Sequence, residues 1–174
     1  DLGSALDMSS FGLTFYESRP RGEQRFVDHL IGLSFLNSSL INNSGSASTD
    51  GKRYGEQLYG SLSLRDTFSK NQLNFTPKLK INYGVTHLGA YTETGATGLN
   101  LHFDDQYIGN FTSSVGTSLD NTYDFEVGSF IPYFDFEYYA DMSPSSQQRF
   151  SYTSNGQSYT LKNINNSTHN LMGS

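Results

Sequence analysis

Apolar and polar side chains alternate with a period of two along most of this chain, and a helical period is nearly absent. Leu79, Ile81, Tyr83 and Val85 fall on one face of an extended segment, with Lys80, Asn82, Gly84 and Thr86 on the other. Phe134, Phe136 and Tyr138 likewise oppose Tyr133, Asp135, Glu137 and Tyr139, and Leu62 and Leu64 oppose Ser61, Ser63 and Arg65. Tyr107, Phe111, Val115 and Leu119 oppose Asn110, Thr112 and Ser114. Successive residues of a strand point to opposite sides of its sheet, so the pattern predicts strands with one apolar and one hydrophilic face.

About seven such segments are predicted, near residues 10–18, 25–41, 53–69, 72–92, 98–122, 124–141 and 147–163. Several exceed 15 residues, whereas globular strands usually run about five or six. A strand crosses a bilayer in about 9–11 residues, so this length suits a barrel that projects beyond the membrane. The connectors are of two kinds. "NNSGSASTDGK" (Asn42–Lys52) and "NINNSTHN" (Asn163–Asn170) read as long polar loops, "SKNQ" (Ser69–Gln72) and "DNTYD" (Asp120–Asp124) as tight turns.

Composition narrows the class. The 174 residues suffice for one domain, and the absence of cysteine excludes disulfides and thiolate chemistry. Tyr (12) and Phe (13) are abundant, charged residues make up only 16%, and mean hydropathy is −0.50. No apolar run approaches the roughly 18 residues of a transmembrane helix. A net charge of −6 with scattered basic residues argues against nucleic acid as a partner. These traits fit both a secreted β-sandwich and an outer-membrane β-barrel. The start, Asp1-Leu2-Gly3-Ser4, carries no signal peptide, and "HNLMGS" at the other end stops inside a starting strand, so the chain reads as a piece of a longer one.

With the strands placed, the chain resembles the β-domain of bacterial autotransporters, the translocator of type V secretion. The resemblance rests on "YGEQLYGSLSLRDTF" (Tyr54–Phe68), "FTPKLKINYGVTHLGAYTETGATGLNLHF" (Phe75–Phe103), "SSVGTSLD" (Ser113–Asp120) and "GSFIPYFDFEYYAD" (Gly128–Asp141). Tyr91, Glu93, Gly95 and Ala96 form its most recognisable element; Gly116, Tyr133 and the two prolines Pro77 and Pro132, read as strand starts, belong to the same structural pattern. The clearest match covers residues 50–141. The resemblance implies an all-β fold, an antiparallel meander forming part of an up-and-down transmembrane barrel that is twelve-stranded in the family and ends on an aromatic. Residues 1–174 are therefore expected to be a single domain, the central part of such a barrel, with Ser174 departing from the aromatic end. The implied location is the outer membrane of a Gram-negative bacterium. The implied partners are the lipid bilayer, the protein's own passenger domain and the outer-membrane assembly machinery.

In hydrocarbon every backbone N–H and C=O needs a partner, so a spanning sheet must close, with apolar side chains toward lipid and polar ones toward a lumen. Arg65, Lys80, Asp135 and Glu137 are expected to face that lumen. An isolated set of seven strands would leave two open edges and an exposed aromatic surface, and is expected to need detergent. The alternative is a soluble β-sandwich or solenoid, a carbohydrate-binding or adhesin module, whose apolar faces would meet in a dry core. A porin-like channel is a third reading.

No catalytic, cofactor-binding or metal-binding residue is assigned. Asp135 and Glu137 share a strand face about 7 Å apart, the arrangement of a glycosidase pair, but two carboxylates in lumen water are the favoured reading. Asp120, Asn121, Asp124 and Glu126 lack the spacing of a calcium loop. His87 and His102 flank the glycine-rich turn without a third ligand, and His29 and His169 lie far from them. No Gly-x-Ser-x-Gly elbow is present. The sequons at Asn37, Asn74 and Asn110 match what an Asn- and Ser-rich chain contains by chance. For Glu93, in "YTETGATG", the expectation is a carboxylate accepting backbone N–H bonds where glycines open the strand.

Overall fold

The computed structural model describes residues 3–22, 24–44, 47–96, 98–164 and 168–173, and all regular structure in them is β. β1 (Ala5–Pro20), β2 (Arg25–Ser44) and β3 (Ala47–Asp66) are long and unbroken. β4 (Phe68–Lys70) continues β3, and β5 (Leu73–Leu88) returns beside both. β6 (Tyr91–Thr92) prolongs β5, β7 (Leu101–Phe103) runs into β8 (Gln106–Asn121), and β9 (Tyr123–Phe125) pairs with β10 (Gly128–Phe130). β11 (Tyr133–Asp141) is prolonged by β12 (Ser146–Tyr152), and β13 (Ser158–Asn163) precedes β14 (Thr168–Gly173).

The main sheet has the order β1-β2-β3-β5-β8-β11-β14, each neighbour antiparallel to the last, which is an up-and-down meander. It is open, with β1 and β14 at its edges. A smaller sheet, β13-β12-β7-β6, continues the wall past one end of it.

Cross-strand register sorts the side chains onto two faces. Val27, Leu64, Leu79, Val115 and Tyr138 lie in one row across five strands, and Leu13, Leu33, Leu58 and Val85 in another. The opposite face carries Asp28, Ser63, Lys80, Ser114, Tyr139 and Asn170 in a single row. The apolar rows are exposed: Leu13 60%, Leu33 44%, Val85 44% and Val115 55%. Among the described residues the only buried hydrophobic side chains are Ala96 and Ala140. A sandwich needs two apolar faces packed about 10 Å apart; this single layer has no such core, and the sandwich alternative is discarded.

Glycines opposite tyrosines make room for rings laid across the neighbouring strand. A Cβ at Gly32 would collide with the Tyr59 ring, which crosses it to place its hydroxyl 2.7 Å from Thr14 Oγ1. At the short turn between β4 and β5, Asn71 takes the left-handed conformation (φ 57°) that Asn tolerates better than most residues.

Several expected boundaries are corrected. The segments 53–69, 72–92 and 98–122 are each interrupted, and 124–141 contains the β9–β10 hairpin before β11 starts at Tyr133. The segment 147–163 is not one strand; it folds back between β12 and β13 over residues 153–157. Asn42–Lys52 is not a loop, since Asn42, Asn43 and Ser44 pair with Thr49, Ser48 and Ala47; Gly45 and Ser46 lie outside the described residues. Within Asn163–Asn170, Thr168–Asn170 already belongs to β14, while Asn165–Ser167 lie outside the described residues. Polar composition misleads here because strand ends that stand in water need no apolar face. Pro132 does precede a strand, but Pro77 sits inside β5. It is tolerated there because the β3–β5 ladder ends at Lys78 and resumes with β4 at Phe75, so no β3 partner waits for the N–H that proline lacks.

Candidate functional site

The polar face concentrates charge near the end of the sheet where the β4–β5 turn lies. Arg65, Lys78, Gly116 and Glu137 form one cross-strand row. Asp135 Oδ2 accepts hydrogen bonds from Lys78 Nζ (2.6 Å), Ser118 Oγ (2.7 Å) and Tyr133 Oη (2.7 Å). The Arg65 guanidinium lies 4.8 Å over the Phe26 ring and 4.0 Å from Asp28. Thus Arg65, Lys80, Asp135 and Glu137 share one face of the sheet, directed away from the apolar rows. Asp135 is committed to a lysine and two hydroxyls instead of facing Glu137 alone, which does not leave a free acid–base couple.

At the other end the wall bends. β5 and β8 are interrupted level with each other, at residues 89–90 and 104–105, and the next wall strand breaks at 142–145 beside residues 108–111 of β8, while β3 runs on unbroken and serves as a ruler. Leu88 pairs with Gly55 and Thr94 with Asp50, so 94 − 88 = 6 residues of one strand oppose 55 − 50 = 5 of the other. One extra residue exchanges the faces of everything beyond it. Below the bend His87 stacks on Tyr107 (4.6 Å) on the face of Glu56. Above it Tyr91 stacks on Phe103 (4.7 Å) over Gly51 and Arg53, which occupy the opposite face of β3. The stack continues to Phe150 (5.6 Å) and Tyr159 (5.5 Å). The other side of this collar is polar, with Thr92, His102 and Ser151 in one row and Arg149 paired with Thr160. Below the bend apolar residues occupy one face; above it they occupy the other.

Arg53 fills the crease. Its guanidinium donates to the carbonyls of Gly89 (2.9 Å), Asp104 (3.3 Å) and Leu88 (3.4 Å) and to Gln148 Oε1 (2.9 Å), supplementing the interrupted ladders, and the Asp104 carbonyl also accepts from Gln148 Nε2 (2.9 Å). Burial pushes the Tyr91 phenol above its ordinary value; nearby Glu93 adds to the rise and Arg53 opposes it.

The remaining motif residues gather at the tip of the β6–β7 hairpin. Glu93 is only 3% exposed, and its Oε2 accepts the Leu101 N–H at 3.3 Å. Gly95 has φ +113° and a Cβ there would meet the Ser48 carbonyl at 2.6 Å, so a side chain is excluded both by backbone and by space. Ala96 is buried, and its N–H is capped by Asn100 Oδ1 at 3.0 Å. Gly116 is similarly enforced, with the Phe136 carbonyl 2.5 Å from a would-be Cβ. Thr97, also in this turn, lies outside the described residues.

The other candidates are dispersed. Asp120 accepts from Asn74 and Asp124 from Ser129, each within its own neighbourhood. His87 and His102 lie on opposite sides of the bend, the latter sharing a 2.8 Å hydrogen bond with Thr92. Arg53 and Thr49 escaped sequence reasoning. The available signal was the adjacent small pair Gly89-Ala90 inside an otherwise alternating segment, which marks a bulge.

A one-layer antiparallel meander with an exposed apolar band and a charged opposite face is a piece of transmembrane β-barrel wall. A family model, the autotransporter beta-domain, matches residues 1–173, and the chain belongs to that family, the match extending well beyond residues 50–141. No curated protein and no solved structure matches the chain. The family places the protein in the outer membrane of Gram-negative bacteria, as a translocator of type V secretion, and such domains are generally not catalytic.

Proposed function

We propose that this domain anchors a passenger domain in the outer membrane and serves its export to the cell surface, with the apolar rows against lipid and the Arg65–Lys78–Glu137 row lining the lumen. The supporting observation is the separation of faces: Leu79, Ile81, Tyr83 and Val85 on one side of β5, Lys78, Lys80 and Asn82 on the other. From Phe75 to Val85, ten residues at about 3.3 Å rise and about 40° tilt cover some 25 Å, the height of a barrel's apolar band. The hydrocarbon then ends at the bend. Above it the outward side is polar, and the collar stands in water. Both sheet edges must be paired in lipid, and insertion would draw on the outer-membrane assembly machinery. The role assigned to each of these residues is mechanical, with no cofactor.

The test uses the full-length protein in cells. An epitope placed ahead of this domain should become reachable by antibody on intact cells, and deletion of the domain should abolish that. A barrel that inserts normally while the epitope stays internal would refute export. Single cysteines at Thr92 and Arg149 should react with a membrane-impermeant maleimide, and cysteines at Leu79 and Val115 should not.

A further inference from the structure

The inner side of the collar contains a feature that membrane anchoring does not require. Glu93 is a carboxylate 3% exposed, and among the described residues its side chain accepts one hydrogen bond, at Oε2 from the Leu101 N–H. Thr49 is 8% exposed and its Oγ1 has no hydrogen-bond partner among the described residues. Between them lies a cavity of ≈ 200 Å³, also lined by Asn42, Leu101 and Tyr152. At ~30 Å³ per water this is room for about six or seven waters, or for one flat or tetrahedral cationic head with its last methylenes.

Charge and lining define what fits. A buried carboxylate is costly unless a cation or several donors face it, and here one backbone N–H does. Arg53, on the same face of β3, has its guanidinium committed to three carbonyls and Gln148. None of the residues outside the described set is basic. A divalent metal would want six or more oxygen ligands, which a single carboxylate, one hydroxyl and one amide do not provide. Apolar walls at Leu101 and an aromatic face at Tyr152 suit an organic cation, whose charged head meets Glu93 and Thr49 while its methylenes meet the rest.

We propose that this cavity is a receptor for one organic cation, a guanidinium or primary ammonium head, held by the Glu93 carboxylate and oriented by Thr49 Oγ1 and Asn42. The head belongs either to a lysine side chain of a polypeptide lying in the lumen mouth or to a free small amine. The site is independent of whether the barrel exports anything.

The full-length protein purified in detergent is titrated with methylguanidinium, with methylurea as its uncharged isostere, by calorimetry and by the heat-unfolding midpoint. Methylguanidinium should bind and raise the midpoint, and methylurea should do neither. Glu93→Gln should weaken methylguanidinium binding at least tenfold and Thr49→Val about threefold, while Asp124→Asn at the far rim leaves it unchanged. Thr49→Val keeps the test available if Glu93→Gln fails to fold. A zero-length carbodiimide applied to whole cells distinguishes the sources. A Glu93–lysine crosslink within the protein identifies a side-chain occupant, and methylguanidinium binding without that crosslink identifies a free amine. The proposal falls if wild type binds the two probes alike and yields no Glu93 crosslink, or if Glu93→Gln binds methylguanidinium as wild type does.

Discussion

Replacing Arg53 with alanine should loosen the collar while leaving the membrane-spanning wall folded. Its guanidinium makes two bonds of 2.9 Å, to the Gly89 carbonyl and Gln148, and two longer ones of 3.3 and 3.4 Å. Hydrogen bonds from a charged donor contribute about 1.5–3 kcal/mol each when fully buried. Arg53 is only half-buried, so water would take over part of each. Counting about 1 kcal/mol for each short bond and less for the long pair gives a net loss of about 2–3 kcal/mol. The loss is local, because β6, β7, β12 and β13 pair with one another and meet the main sheet chiefly at the bend.

Local opening is read by proteolysis. At ~1.4 kcal/mol per decade, a loss of this size multiplies the open population about 30- to 150-fold. Cleavage rate follows that population when reclosing outruns the protease. In membrane-embedded full-length protein, chymotrypsin should therefore cut after Phe150, Tyr152 or Tyr159 at least tenfold faster in Arg53→Ala than in wild type. Arg53→Lys should recover little, since an ammonium cannot fork across carbonyls from neighbouring strands. Arg25→Ala removes the same charge from an ion pair with Asp66 at the opposite rim and should not alter collar cleavage. A rise below threefold in Arg53→Ala would show that the aromatic stack alone holds the collar, and the reasoning from the Arg53 hydrogen bonds would be wrong.

The remaining predictions probe the wall. Val115→Arg on the apolar face should cost about 2–4 kcal/mol in urea unfolding from phospholipid vesicles, whereas Asn110→Arg, at an exposed position on the polar face of the same strand, should cost below about 1 kcal/mol; equal costs would refute the assignment of faces. Gly32→Ala should displace the Tyr59 ring and its contact with Thr14, lowering stability by about 1–3 kcal/mol and thinning the heat-resistant band on gels, and Tyr59→Phe in the same background should not restore it. A double-mutant cycle of Lys78→Met with Asp135→Asn should give a coupling of about 0.5–1.5 kcal/mol, the scale of a pair in contact with water; above 3 kcal/mol the lumen at that height would have to be dry.

The strand count and the sorting of faces were legible because period-two alternation is a local property. Leu79 through Val85 declare their side of the sheet without reference to any neighbour. The last two wall strands were misplaced for an equally local reason. Ser143 to Ser145 and Thr153 to Gln157 have similar turn-rich compositions, yet the first is a bend within a strand and the second a reversal, and only pairing with β7 and β8 tells them apart. Pro77 was misread because its tolerance depends on the gap between Arg65 and Phe68 in the partner strand, which nothing in the sequence around Pro77 itself announces. Arg53 could not be singled out at all, since the carbonyls it meets come together only where β5 and β8 break side by side.

The face exchange at the bend explains why one chain can look hydrophilic on average and still hold a continuous apolar band. A barrel wall in lipid puts its greasy side outward; the same wall in water has to turn that side inward or cover it. Inserting one residue against β3 accomplishes the turn without a loop, since a shift of one exchanges both faces at once. The consequence is testable by reversing it. Deleting Ala90 should restore register with β3 and swing Tyr91 and Glu93 to the outer side, lifting Tyr91 off the Phe103 ring and exposing both to solvent. Such a protein should still insert, because β5 below Leu88 is untouched, but it should bind a hydrophobic dye at the cell surface several-fold more than wild type. Unchanged dye binding with an intact barrel would mean that the bend, and not the register, sets which way the collar faces.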